Sequence, residues 1–197
     1  MKLTDLLFPA RLSDAPMTDV MVDIETTGTD PYHNAMIQLA AIQFNYETGD
    51  IGPTFNRSLA MPANRYWDES TRQWWGQQKP GILQGIVAKS EEPQPVVEAF
   101  HRYIIDAGRL RFWSRGSFDW WFIQSYMAQY NLPMPFAFHQ ARDLRSFQAG
   151  LFGKPDEPDM SWLTHPGDAH NALYDCVIQL KRLFSARDGV FYEVTPA

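Results

Sequence analysis

At 197 residues and 45% hydrophobic content, the chain has the length of one domain and enough apolar surface to bury a core without staples. Its formal charge of −6 speaks against tight non-specific binding along nucleic acid, which draws on a basic surface, but admits an enzyme that grips one strand end through metal ions. A single cysteine, Cys176, excludes an internal disulfide and a cysteine-rich zinc site; with no apolar run of membrane-spanning length and no leader pattern, the expected location is cytoplasmic.

Residues 1–16 carry Pro9, Pro16 and the short patch Leu6-Leu7-Phe8 with no sustained period, and read as an arm before a single domain over 17–197. In Asp19 to Glu25, Val20, Val22 and Ile24 alternate with Met21, Asp23 and Glu25, the period of a strand. A second strand is expected over Ala35–Phe44, a turn at Thr48-Gly49-Asp50, and a third strand over Thr54–Leu59, giving an antiparallel meander. Asp68-Glu69-Ser70 opens a helix that Lys79-Pro80-Gly81 closes, and Pro93 to Ala107 carries apolar residues at helical spacing. Leu110–Ser114 reads as a strand, followed by a helix from about Phe118 to Tyr130. Asp143 to Leu151 is expected to be helical, Gly153 to Pro158 a loop, and Ala169 to Ala186 a long amphipathic helix. The fold class expected is α/β, with a meander followed by strands alternating with helices in one mixed sheet covered by helices.

Alternation puts Asp23 and Glu25 on one face of one strand, so their carboxylates converge. Two ionised carboxylates held so close repel unless a cation or a shared proton lies between them, and oxygen-only ligation suits Mg²⁺ or Mn²⁺. A solvated polar face on an edge strand accounts for the same pattern. The Thr26-Thr27-Gly28 turn ends the strand beside the two acids.

Asp119 follows Gly116-Ser117-Phe118 at a strand-to-helix junction, where a carboxylate caps the helix or reaches a metal. His170 and Asp175 are five apart near a helix start; five residues turn a helix by roughly 500°. The two therefore serve one site only if His170 lies on or before the first turn. Taken singly, His170 reads as a surface residue. Seven tryptophans include the pairs Trp74-Trp75 and Trp120-Trp121, whose members diverge by about 100° on a helix, so one of each pair faces outward or sideways.

Together, Asp23-Ile-Glu25-Thr-Thr-Gly, Phe118-Asp119 and His170 through Asp175 resemble the three motifs of the DEDD exonuclease superfamily, histidine subgroup, which includes proofreading exonuclease subunits, RNase T and oligoribonuclease. Thr71-Arg-Gln-Trp-Trp-Gly-Gln-Gln78 resembles the phage and mycobacterial 3′–5′ exoribonuclease branch. One departure stands out: the asparagine that often precedes the second motif is absent, with Ser114 and Arg115 in its place.

The resemblance implies an RNase H-like fold and hydrolysis of single-stranded or 3′-overhanging RNA or DNA to nucleoside 5′-monophosphates, by a monomer or homodimer away from membranes. It implies two Mg²⁺ or Mn²⁺ ions, with Asp23 bridging both, Glu25 and Asp175 completing the site of one, and Asp119 holding the other. His170 would be the general base. Thr26, Thr27 and Gly28 would meet the terminal sugar, Phe118 would lie against substrate, and Trp74, Trp75 and Gln78 would hold the terminal base. An endonuclease of the same fold and a silent nucleic-acid-binding module are the competing readings.

Overall fold

The structure, a computed structural model, describes residues 15–192; residues 1–14 of the expected arm, and residues 193–197, lie outside the described residues. Strand β1 (Asp19–Thr26) takes the middle of the sheet because it is apolar on both faces as far as Met21 and Val22. Val20, Val22 and Ile24 enter the core on one face and Met21 enters it on the other. Asp23 and Glu25 continue the row of Met21.

β2 (Met36–Phe44) pairs antiparallel with β1, setting Asp23 opposite Ala40 and Glu25 opposite Gln38. β3 (Ile51–Leu59) completes the meander and starts three residues before the expected Thr54, so Pro53 falls inside it. A proline is tolerated there because β4 (Ser90–Glu91) covers only Ser58 and Leu59, leaving the Pro53 end of β3 as an open edge. Helix α1 (Glu69–Gly76) begins at Asp68, whose side chain accepts from Thr71 N, as the acidic start signal required. The short α2 (Ile82–Val87) then leads into β4, and neither was expected.

α3 (Pro93–Ile105) is followed by β5 (Arg111–Ser114), α4 (Phe118–Gln129), β6 (Ala141–Asp143), α5 (Leu144–Phe152) and α6 (Ala172–Arg187). The sheet order is β4-β3-β2-β1-β5-β6, with β5 and β6 parallel to β1. This is the mixed α/β sheet expected. Phe100 and Ile104 of α3 and Phe122 and Tyr126 of α4 pack on the Val20–Val22 face. On the other face Cys176, Leu180 and Leu183 of α6 pack on Met21, Ala40 and Phe44. The alanine at 40, ambiguous between helix and strand in the sequence, lets α6 come close: Cys176 Sγ lies 3.6 Å from its carbonyl oxygen.

The start of the β1–β5 pairing is fixed by one buried acid. Asp19 Oδ1 accepts from Arg111 Nε at 2.7 Å and from Trp113 Nε1 at 2.7 Å, while Oδ2 accepts from Arg111 Nη2 at 2.6 Å. Replacing Asp19 by alanine strands the buried indole N–H, whereas the half-exposed Arg111 regains water. The expected loss is about 1–3 kcal/mol in denaturant unfolding; a loss under about 0.5 kcal/mol, the level of an ordinary surface change, contradicts this role.

Candidate active site

β1 is paired with β2 along its length, but with β5 only from Asp19 to Met21. Beyond Met21 the N–H of Ile24 has no strand partner on that side, and a buried N–H needs one. Asp119, in the first turn of α4, supplies it: its Oδ1 accepts from Ile24 N at 3.1 Å. The acid of the second motif is thereby tied to the backbone between Asp23 and Glu25.

From the other face α6 brings two further groups. Asp175 stands in its first turn, and Gln179, one turn on, donates from Nε2 to Asp23 Oδ1 at 2.7 Å. The helix starts at Ala172 rather than at the expected Ala169, because His170 adopts left-handed backbone, φ 63°, which no helix continues. That conformation costs an L-residue about 1–2 kcal/mol, and it satisfies the condition for His170 and Asp175 to share a site. One nitrogen of His170 and one oxygen each of Glu25 and Asp175 lie within 4.8 Å of one another. The His170 and Trp74 rings meet in a T-shaped arrangement, centroids 4.6 Å apart.

Burial raises the Asp23 carboxyl well above its ordinary range, and the charges of Asp119, Glu25 and Asp175 push it further, against the Gln179 amide. Glu25 is raised in the same way, first by burial, then by Asp175 and Asp119. Asp119 is pushed up to about 7 by burial, opposed by its own backbone N–H, that of Ile24, and the charge of Arg145. A cluster that resists its own ionisation accommodates a divalent cation, and hard carboxylate oxygens fit Mg²⁺ or Mn²⁺. A further sign of fit is Gln179 Oε1, a buried acceptor with no partner among the described residues, suited to a water of hydration.

Asp23, Glu25, Asp119, His170, Asp175 and Phe118 all border one open cleft of about 1070 Å³. Other expected contacts are differently disposed. The buried Thr27 donates its hydroxyl to Tyr66 O at 2.9 Å and accepts from Ala35 N at 2.7 Å. Gly28 is required by packing, since a Cβ there would lie 2.1 Å from Asn34 Oδ1. Thr26 donates its hydroxyl to Gly28 O, and its own carbonyl accepts from Trp75 Nε1 at 3.0 Å. Trp75 is therefore the buried anchor of α1, and Trp74, 39% exposed, is the outward member of the pair. Gln78 donates to Trp74 O at 2.9 Å. Trp120 packs against Phe112 and Trp121 faces the cleft. Where the family asparagine is missing, Ser114 donates to Gly116 O and Arg115 pairs with Glu157.

The sequence reading missed His165 and Gln179. Nε2 of His165 lies 2.9 Å from Asp175 Oδ1 and its Nδ1 lies 2.8 Å from Gly167 O, so both ring nitrogens are engaged. The His-Pro-Gly turn at 165–167 was the available signal, but no periodicity relates a loop residue to a helix ten positions on.

Because the Asp119 carboxyl is raised in the folded chain, its protonated form favours folding at low pH, and that contribution is lost as pH climbs through about 7. In metal-free buffer the melting temperature of Asp119→Asn should therefore gain on that of the parent between pH 4 and pH 7, at about its unfolded and folded values. Mn²⁺ should raise the parent more than the variant. A pH-independent difference between the two contradicts the electrostatic account.

Comparison with known proteins follows the same lines. The family described as 3′-5′ exoribonuclease Rv2179c-like domain matches residues 18–185. Exonuclease I from E. coli in complex with a dT13 oligonucleotide has a similar fold, at 17% identity and TM-score 0.66, covering 88% of this chain and 42% of that one. Cell-death related nuclease 4 (CRN-4) is similar at 21% identity and TM-score 0.65, over 87% of this chain and 64% of that one. The zinc-ion-bound form of the E. coli exonuclease I–single-stranded DNA complex gives 16% identity and TM-score 0.66, over 89% and 42%. The chain thus spans less than half the length of exonuclease I, and at these identities the likeness is one of fold, the RNase H-like fold the motifs implied. No curated protein matches the sequence. The family match runs from the strand that carries Asp23 to the helix that carries Asp175, and the chain belongs to the 3′-5′ exoribonuclease Rv2179c-like family.

Proposed function

We propose that the protein is a divalent-cation-dependent 3′–5′ exonuclease that removes nucleoside 5′-monophosphates from single-stranded or 3′-overhanging RNA or DNA. The observation that carries this reading is the convergence of four carboxylates from three elements, with His170, in one open cleft. Asp23, Glu25, Asp119 and Asp175 are the residues that would hold the ions. Two bound cations supply charge neutralisation at the scissile phosphate and lower the pKa of the attacking water.

His170 takes the proton from that water. It suits the role because its nitrogens have no hydrogen-bond partner among the described residues, whereas both nitrogens of His165 are engaged. His165 instead orients Asp175. Trp74, exposed and packed at 77° to the His170 ring, offers an indole beside the site for the terminal base, and Trp75 holds the Thr26 carbonyl. The 3′-terminal sugar lies against the turn from Thr26 to Gly28, which Asn34 packs from behind. We read the setting as cytoplasmic, since the one cysteine is buried and unpaired; among the described residues no helix is long and apolar enough to cross a membrane. Monomer and homodimer are both compatible with this site, which one chain completes.

Incubating the protein and Mg²⁺ with end-labelled linear strands and with circular single strands tests the reading. Linear strands with a 3′ hydroxyl should yield nucleoside 5′-monophosphates stepwise, and circles should stay intact; cuts in circles move the assignment to an endonuclease. His170→Ala should lower kcat by about 10²–10⁴, the span for losing a general base, with partial recovery at higher pH. Should that variant instead lose Mn²⁺ affinity, His170 is a ligand and not the base.

A further inference from the structure

Three arginines, from two helices and a loop, meet on the wall of the same cleft. Arg115 follows β5, Arg145 lies in the first turn of α5, and Arg182 lies on α6, where Asp175, Gln179 and Arg182 recur at i, i+4 and i+7 and share a face. Arg182 is about 10 Å along the helix from Asp175. All three converge on one carboxylate. Glu157 accepts from Arg115 Nη2 and Nε, with Arg145 Nε 3.6 Å and Arg182 Nη1 3.9 Å from its oxygens.

Glu157 offsets one of the three charges and Asp159 part of that on Arg182, so the cluster stays net positive, and each guanidinium has five N–H donors of which Glu157 engages a minority. Gathering like charges has a cost: burial and the charge of Arg115 pull the Arg182 pKa down, against Glu157 and Asp159. The charge of Arg145 offsets part of the strain at Asp119, but the guanidinium N–H donors left over from Glu157 face the open cleft and suit an anion. The four carboxylates themselves repel a strand's phosphates, so the strand must be gripped away from them.

We propose that Arg115, Arg145 and Arg182, clasped by Glu157, form a phosphate-binding wall for the backbone of a single strand on the 5′ side of the scissile bond. This rests on the exonuclease reading, which sets the 3′-terminal nucleotide at the carboxylates and so leaves the arginines to the preceding phosphates. Planar guanidiniums match phosphate oxygens two at a time. The bases turn the other way, toward Phe118 and Trp121, which are 38% and 48% exposed and border the same cleft. Stacking there accepts any base and requires it to be unpaired, so the wall selects single strands without selecting sequence.

The test is fluorescence anisotropy of a 5′-labelled single-stranded RNA in EDTA, with potassium chloride varied from about 50 to 200 mM, on the parent, Arg115→Gln, Arg145→Gln and Glu157→Gln. Each arginine variant should bind several-fold more weakly at low salt and flatten the slope of log Kd against log salt by about 0.7. Glu157→Gln should do the opposite, binding more tightly with a steeper slope, because it frees one more positive charge. If the cluster merely staples the loop around Glu157, Glu157→Gln and the arginine variants change binding in the same direction or not at all, and the proposal is overturned. Hydrolysis of the same strand with Mg²⁺ separates the two claims. Turnover by the parent with an unaltered salt slope in every variant refutes the wall alone; no turnover, with arginine-dependent binding intact, refutes the nuclease reading and leaves the wall standing.

Discussion

Four partly or wholly buried carboxylates stay together at the floor of a cleft only where backbone and neighbours overrule their repulsion, and three devices hold the four. Asp23 and Glu25 are fixed by the alternation of a central strand, with the Gln179 amide on Asp23. Asp119 is drawn in by the N–H of Ile24 that β5 leaves unpaired, and Asp175 is turned by His165. None of these contacts removes the repulsion: burial raises Asp23, Glu25 and Asp119 alike, and the neighbouring carboxylates push Asp23 and Glu25 further. The stored unfavourable electrostatics is a binding energy held in reserve for a cation.

Several features of the fold follow from keeping this cluster in register. β5 is only four residues long and separates from β1 after Met21, and the opening so made at the carboxyl ends of the two strands is the cleft. Ala40, Ala172 and Cys176 are small enough for α6 to lie close on β2, which carries Asp175 and Gln179 up to β1. α1 contributes through its tryptophan pair: Trp75 pins the Thr26 carbonyl, and Trp74 holds the ring of His170, whose left-handed backbone turns it back toward Glu25 and Asp175. Charge is divided along the same cleft, acids at one part and the Arg115–Arg145–Arg182 cluster at another.

Much of this was legible from residue order because it depends on local periodicity. A period of two in β1 sufficed to bring Asp23 and Glu25 together, and the divergence of neighbours on a helix required one outward member in each tryptophan pair without saying which; the structure makes them Trp74 and Trp121. Asp119 and His170 were ambiguous singly and became readable as a set. What escaped was of two kinds. β4 and β6 have two and three residues, too few to display alternation, and exist only through their partners in the sheet. His165, Arg115 and Arg145 are brought in by tertiary closure, across loops that carry no periodic signal, whereas Gln179 and Arg182 follow Asp175 at i+4 and i+7 on one helix face, a signal that was available. The start of α6 was misread because Asp168-Ala169-His170 has nothing in composition that forbids a helix; the left-handed φ at His170 does.

The central claim is that the cluster is a cation site whose acids surrender protons when the ion binds. It is tested most directly by calorimetric titration of Mn²⁺ just below neutral pH in two buffers of different ionisation enthalpy, on the parent and on Asp23→Asn. The account requires two ions per chain for the parent, a heat that differs between buffers because binding releases protons, and loss of that signal in the variant. Absence of Mn²⁺ binding, or binding with the same buffer-independent heat in parent and variant, would contradict it.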